Sequence, residues 1–478
     1  MLTRTFKPAR RGRKGVLHVS DHQAEDPTGS EPTSKRQSPS RSRTSARRGA
    51  SGPRTVLRRA RLASADGLSE PTDVYVRGGL VEGFDLGGAV DLELDAREQL
   101  VTPAFIDLHA HLRDPGQEVK EDLASGLAAA AAGGFGTVVS MANTTPPVDD
   151  PGLVTDLVRR AELIGQARLR PAATVSVGMR GERLTDFAAL KAAGAVMLTD
   201  DGIPIADAHL MRRACEYAAE LGLVIQTHSE EPHLRADGVM NEGRVSRELG
   251  LPGNTASAEA VMVFRDTEIA RLTGARVHIA HVSCERAMRV AEWQRANGAP
   301  ITIEVTPQHL TLTDESLRAF DPVFKVAPPL RTAADVAHLK EALRRGAVDN
   351  IGTDHAPHTL AEKERDLLEA PFGIANLEVT FALLYTRLVL TGELPLAALL
   401  RLLQGGPASV MGWQAPTLTP GAAADLTVID LESELPVQGR SFKSKAKHNP
   451  WEGERLRGWP RLTLVRGNVC YDREAGDR

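Results

Sequence analysis

Eight short apolar runs follow one another between residues 104 and 354, and side chains able to bind a metal stand at their carboxyl ends. The first, AFIDLHAHLRDPG, ends in His109 and His111. Later runs end in Thr199-Asp200-Asp201-Gly202, in His228 (LVIQTHSEE), in His281 (VHIAHVS) and in Asp354, His355 and His358 (DNIGTDHAPH). Imidazoles and carboxylates gathered at one end of successive strands describe a metal site in the mouth of a parallel barrel.

The strand-like segments fall at about 104–109, 137–142, 171–177, 195–199, 223–228, 276–281, 301–306 and 349–353. Helix-like stretches such as DAHLMRRACEYAAELG alternate with them, and several end at glycine. Regular alternation implies a parallel sheet, and eight strands imply closure. The fold class is therefore α/β, a (β/α)8 TIM-type barrel. A doubly wound open sheet is the competing architecture, but no GxGxxG or Walker loop supports it.

At 478 residues the chain exceeds one barrel of roughly 250 residues. The excess lies at both ends. Residues 53–101 and 406–478 carry short strand patterns, among them DVYVRGGLVEGFD and RLTLVRGNVCYD, and the two sets are expected to pair into one small flanking β domain. The barrel is expected over 102–405. Residues 1–52 are rich in Ser, Arg, Pro and Thr and lack apolar periodicity, as in a disordered tail or sequence ahead of the true start.

Charge divides along the same boundary. Residues 1–50 hold 12 Lys/Arg against 4 Asp/Glu, a local net of +8, so with −4 overall the remainder carries −12. A single Phe, Phe6, stands among the basic residues, too little aromatic interleaving for a nucleic-acid-binding arm. No apolar run is long enough to cross a membrane. Cys215, Cys284 and Cys470 are too scattered for a disulfide framework and read as reduced thiols of a cytoplasmic protein.

His109 and His111 are two residues apart, which on a strand places both on one face. His278, three residues from His281, points elsewhere and reads as packing or support; His355 faces away from the side Asp354 uses. Asp201 has a bland alternative as a turn-forming Asp-Gly. Beside four neutral imidazoles, however, Asp201 and Asp354 would supply the charge that a divalent ion needs. Nitrogen and oxygen ligands suit zinc, one ion or two, with manganese or cobalt as substitutes. Asp354 could take a proton from a metal-activated water and return it to a leaving nitrogen. That is the hydrolysis of an amide or related carbonyl compound. Arg113 follows the His pair and would clamp an anionic substrate, with Asn143 and His358 completing the clamp. Residues Thr359 to Pro371 are polar and could form a lid.

Together IDLHAHLRDPGQE, MANTTPP, LTDDG, THSEE, HIAHVS, EVTPQHL, APPLR, TDHAPH, PFGI and PGAAADLTVID resemble the amidohydrolase superfamily and, within it, the bacterial longer-chain dihydroorotases, over about residues 55–475. The resemblance implies metal ligands His109, His111, Asp201, His228, His281 and Asp354, with Asp354 also the proton shuttle. It implies substrate contacts at Arg113, Asn143 and His358, and through backbone at Phe372 and Gly373. The implied reaction is reversible cyclisation of N-carbamoyl-L-aspartate to L-dihydroorotate, in pyrimidine biosynthesis. A homodimer and an association with aspartate transcarbamoylase are family expectations. Two other readings remain: a cyclic amidase of the hydantoinase or dihydropyrimidinase kind, and a scaffold subunit for aspartate transcarbamoylase. Hydantoinase-like relatives bridge their metals with a carboxylated lysine at the fourth strand, where this chain reads Met197-Leu198-Thr199-Asp200-Asp201, and they lack the arginine after the His pair. One departure from the dihydroorotase pattern is Ala327, where family members often carry a substrate-contacting Asn.

Overall fold

Short, mostly apolar runs form the strands at the centre of the molecule, and nearly all of their residues are buried. In the computed structural model, which describes residues 52–64 and 67–475, eight parallel strands form one sheet: β5 (Phe105–Ala110), β6 (Phe135–Ser140), β7 (Arg168–Ala173), β8 (Met197–Leu198), β9 (Val224–Thr227), β10 (Arg276–Ile279), β11 (Ile301–Val305) and β12 (Asn350–Ile351). They are hydrogen-bonded in chain order. The seam between first and last is drawn together by an Ala110–His355 bridge and by Asp107, whose carboxylate accepts from the Thr353 amide at 3.0 Å and its hydroxyl at 2.6 Å. The result is the expected barrel. The second and third strands lie earlier than their apolar runs indicated, at 135–140 and 168–173, because Met141–Asn143 and Thr174–Ser176 leave the ladder to form the mouth.

Each strand is followed by sequence that starts and stops a helix. The helix Ala208–Leu221 is capped by Asp207, whose side chain accepts from His209 N and Leu210 N, and ends at Gly222, which takes a left-handed conformation (φ 66°). Ala256–Thr273 is capped by Thr255 in the same way. Their apolar faces close over the barrel wall in one large core that includes Leu127, Phe135, Phe187, Ile225, Val263, Val277, Ile303 and Leu339.

A second sheet joins strands from both chain ends. Its order runs from Asn468–Asp472 through Trp459–Val465 and Leu426–Asp430 to β4 (Leu100–Pro103), then to β1 (Arg54–Ser64), β2 (Thr72–Arg77) and β3 (Leu80–Phe84). The central pairing sets Leu426–Ile429 against Pro103–Leu100, antiparallel. Leu57, Val74, Val76, Val101, Leu426, Val428, Leu462 and Leu464 form its own small core. The flanking β domain built from both ends is thus present. The basic arm predicted over residues 1–52 lies almost entirely outside the described residues.

Candidate active site

Asp201 is the centre of the barrel mouth. Its two carboxylate oxygens divide four histidines into pairs. Oδ2 lies 3.4 Å from His109 Nε2 and 3.4 Å from His111 Nε2, while Oδ1 lies 3.6 Å from His281 Nε2 and 3.7 Å from His228 Nδ1. Asp354 Oδ1 stands on the first pair's side, 3.2 Å from His111 Nε2 and 3.6 Å from His109 Nε2. All six residues are buried. The neighbouring Asp200 takes the structural role instead: it accepts from the Val175 and Ser176 amides and from the Ser176 hydroxyl.

This donor set fits a divalent cation. His109, Asp201 and His281 form one group, and His109, His111 and Asp354 another, whose ligand atoms all lie within 4.8 Å of one another. His109 Nε2 and Asp201 Oδ1 are buried yet have no hydrogen-bond partner, a costly state that a bound cation would relieve. The electrostatics agree. Burial alone would raise the Asp201 carboxyl, but the histidines outweigh it and hold it well below the usual carboxylate range. Burial likewise opposes protonation of His228, yet Asp201 and Glu230 push it up to about 10. Carboxylates that hold protons this firmly on imidazoles also attract metal, which competes for the same nitrogens.

A second layer orients these ligands. Glu304 Oε1 lies 2.9 Å from His109 Nδ1, and its other oxygen accepts from Asn350 Nδ2 at 2.9 Å and faces His278 Nε2 at 3.3 Å. His278 therefore supports the cluster through Glu304. Gly352 makes room for that carboxylate, since a Cβ there would come within 2.3 Å of Glu304 Oε2. Glu230 pairs with His228 Nε2 at 2.8 Å, and Asn143 Oδ1 with His111 Nδ1 at 2.8 Å. Glu304 and Glu230 were not singled out from the sequence. The signal was there: each is an acid in or just after an apolar strand (ITIEV, VIQTHSEE), although Glu230 has Glu231 beside it.

The cluster opens on to a cavity of about 170 Å³ lined by His111, Arg113, Asn143, Asp201, His228, Arg235, Ala327, Asp354, His358, Phe372 and Gly373 among others. Every expected substrate residue reaches it. Arg113 is 8% exposed; its Nε donates to Pro357 O at 3.2 Å and its Nη2 lies 3.3 Å from His358 Nε2. Burial lowers the guanidinium to about 10, still charged at neutral pH. His358 Nε2 also lies 2.9 Å from Phe372 O, and burial beside Arg113, Lys363 and Lys120 keeps the ring neutral. Gly373 sits at φ 144°, where a Cβ would strike Ala356 O at 2.5 Å and crowd His358 at 3.0 Å. His355 turns away from the cavity, accepting from the Asn376 amide at 3.1 Å. Arg113, His281 and Asp354 hold positive φ angles of 60°, 36° and 48°, a backbone strain on the order of 1–3 kcal/mol each that the surrounding structure must sustain. Ala327 presents only a methyl to the cavity.

A family model described as dihydro-orotase-like matches residues 98–287. A Deinococcus radiodurans protein named dihydroorotase is 54% identical over 409 residues, covering 85% of this chain and 97% of the relative. The chain belongs to the dihydroorotase family. A dihydroorotase of Thermus aquaticus is 47% identical and covers 87% of the chain and 99% of the relative. Among solved structures, an L-hydantoinase (dihydropyrimidinase) from Arthrobacter aurescens aligns with a TM-score of 0.77 at 26% identity, covering 87% of this chain and 96% of the other. This member of the dihydroorotase family is thus a hydrolase of the cyclic-amide class. Among its described residues no helix is long and apolar enough to cross a membrane.

Proposed function

We propose that the chain is a zinc-dependent dihydroorotase that interconverts N-carbamoyl-L-aspartate and L-dihydroorotate in pyrimidine biosynthesis. The observation that carries this reading is a buried guanidinium, Arg113, facing the same small cavity as a six-residue His/Asp cluster. A carboxylate-bearing ring placed there meets its counterion on one side and the cluster on the other. A neutral hydantoin ring would leave Arg113 unpaired.

His109, His111, His228, His281, Asp201 and Asp354 would hold one or two zinc ions. Bound there, the metal supplies polarisation of the scissile carbonyl and acidification of water. The rest falls to the chain's own groups. Asp354 is buried, and its histidine neighbours outweigh burial and hold its carboxyl down, so it is ionised and ready to accept a proton. In the hydrolytic direction Asp354 delivers that proton to the departing ring nitrogen. Arg113 binds the carboxylate through paired N–H donors, assisted by Asn143 and His358, and so decides which carbonyl faces the cluster. The neutral His358 ring keeps a second cation out of the space beside Arg113. The three cysteines are free thiols, which supports a cytoplasmic site of action.

The test is hydrolysis of L-dihydroorotate by the zinc-loaded chain, followed by loss of ring absorbance. Turnover abolished by a chelator and restored by zinc is the expected result. Preference for an uncharged hydantoin or dihydropyrimidine ring would overturn the substrate assignment.

A further inference from the structure

The cavity holds a second guanidinium that the reaction described above does not use. Arg235 closes the short helix Pro232–Arg235 just beyond β9, and its side chain, 32% exposed, forms part of the same cavity wall as Arg113. Two groups fix its direction. The Phe372 ring lies beneath it, 5.3 Å from Cζ to centroid, with Lys325 Nζ 4.5 Å from the same ring. Glu230 Oε2 stands 3.3 Å from Nε, but that carboxylate already serves His228 and Asn254. Neither terminal nitrogen of Arg235 makes a hydrogen bond to any described residue, so a residue of the cavity wall keeps donors for a ligand.

A carboxylated cyclic ureide offers three hydrogen-bond-accepting functions. The scissile carbonyl must face the His/Asp cluster, and the carboxylate is matched by Arg113. The oxygen between the two ring nitrogens still needs a donor. Val326 and Ala327 offer apolar side chains to the cavity. Asn143, held through Oδ1 by His111 so that its amide nitrogen is turned to other partners, and His358 are assigned to the carboxylate beside Arg113 in the reading above. We infer that Arg235 is a specificity-determining residue whose terminal nitrogens donate to the ureide carbonyl oxygen of the ring. This rests on the dihydroorotase reading and names a contact that reading leaves open. Leaving such an oxygen undonated in a partly closed site is unfavourable, so the contact reports on binding more than on chemistry.

The experiment uses the zinc-loaded full chain with Arg235→Ala and Arg235→Lys. Each is assayed with L-dihydroorotate and with its analogue carrying sulfur in place of the ureide oxygen. For Arg235→Ala the expected result is a KM for dihydroorotate raised roughly tenfold, with kcat within about threefold and zinc content unchanged. Arg235→Lys should recover part of the loss. The preference of the unaltered chain for oxygen over sulfur should shrink towards unity in Arg235→Ala. An unchanged KM, an unchanged oxygen preference, or a joint fall in kcat and zinc at constant KM would each overturn the assignment; the last would make Arg235 a support for Phe372 and Glu230 only. Absence of turnover by the unaltered chain would instead defeat the dihydroorotase reading itself, before any variant is compared.

Discussion

Glu304 Oε1 stands 2.9 Å from His109 Nδ1, with both side chains fully buried. That contact selects which ring nitrogen of His109 carries the proton and leaves Nε2 turned to Asp201. Glu304→Gln keeps the shape and removes the charge. Zinc affinity should fall roughly 10–100-fold, measured by competition with a chromophoric chelator, while the far-ultraviolet circular dichroism is unchanged. Full zinc affinity in this variant would show that Glu304 serves only as filling.

Arg113→Ala removes the buried cation of the substrate cavity without touching the His/Asp cluster. Losing a paired, charge-assisted contact of about 3 kcal/mol predicts a drop of roughly a hundredfold in kcat/KM for dihydroorotate at normal zinc content. Near-normal turnover would remove Arg113 from substrate binding.

Adjacent aspartates should separate cleanly. Asp201→Ala is expected to lower the zinc-to-protein ratio by elemental analysis with little loss of thermal stability. Asp200→Ala should do the reverse in stability, because the Val175 and Ser176 amides lose their acceptor inside the fold, a cost of about 1–3 kcal/mol. If Asp201→Ala retains a full complement of zinc, its place among the histidines is incidental.

Glu378 supplies a pH effect away from the metal cluster. Burial pushes its carboxyl up to about 8, although it accepts from the Ser444 amide at 3.0 Å. The folded chain therefore holds a proton that the unfolded chain releases near pH 4.5. The stability tied to that proton is fully present below about pH 4.5 and is lost as pH rises towards 8. Chemical denaturation between pH 5 and 8 should show this decline, and Glu378→Gln should flatten it by on the order of a few kcal/mol. Equal slopes in both proteins would mean that Glu378 is ionised in the native state.

The barrel was legible because its signal is local. Apolar runs such as AFIDLHA and LVIQT, separated by capped helices, announce parallel strands, and ligands at their ends need no knowledge of distant contacts. Strand limits were less clear. Residues 141–143 and 174–176 are apolar or small enough to extend their strands on paper, yet in the fold they turn into the mouth. Asp107, Gln226, His278 and Glu304 each place a polar side chain inside an apolar run, and Asn350 opens one. Read singly, each looks like a tolerated exception. In the folded chain they meet: His109 Nδ1 lies 2.9 Å from Gln226 Nε2, and Glu304 joins His109, His278 and Asn350.

The chain alone determined that imidazoles and carboxylates would collect at one end of a parallel barrel, since strand direction and side-chain alternation follow from residue order. Only the tertiary structure decided how Asp201 divides four histidines between its two oxygens, why Asp200 beside it does not enter the site, and that Arg235 shares a cavity with Arg113. These are relations between residues up to 122 positions apart. Their distances are set by barrel closure and by the packing of loops, which no local pattern encodes.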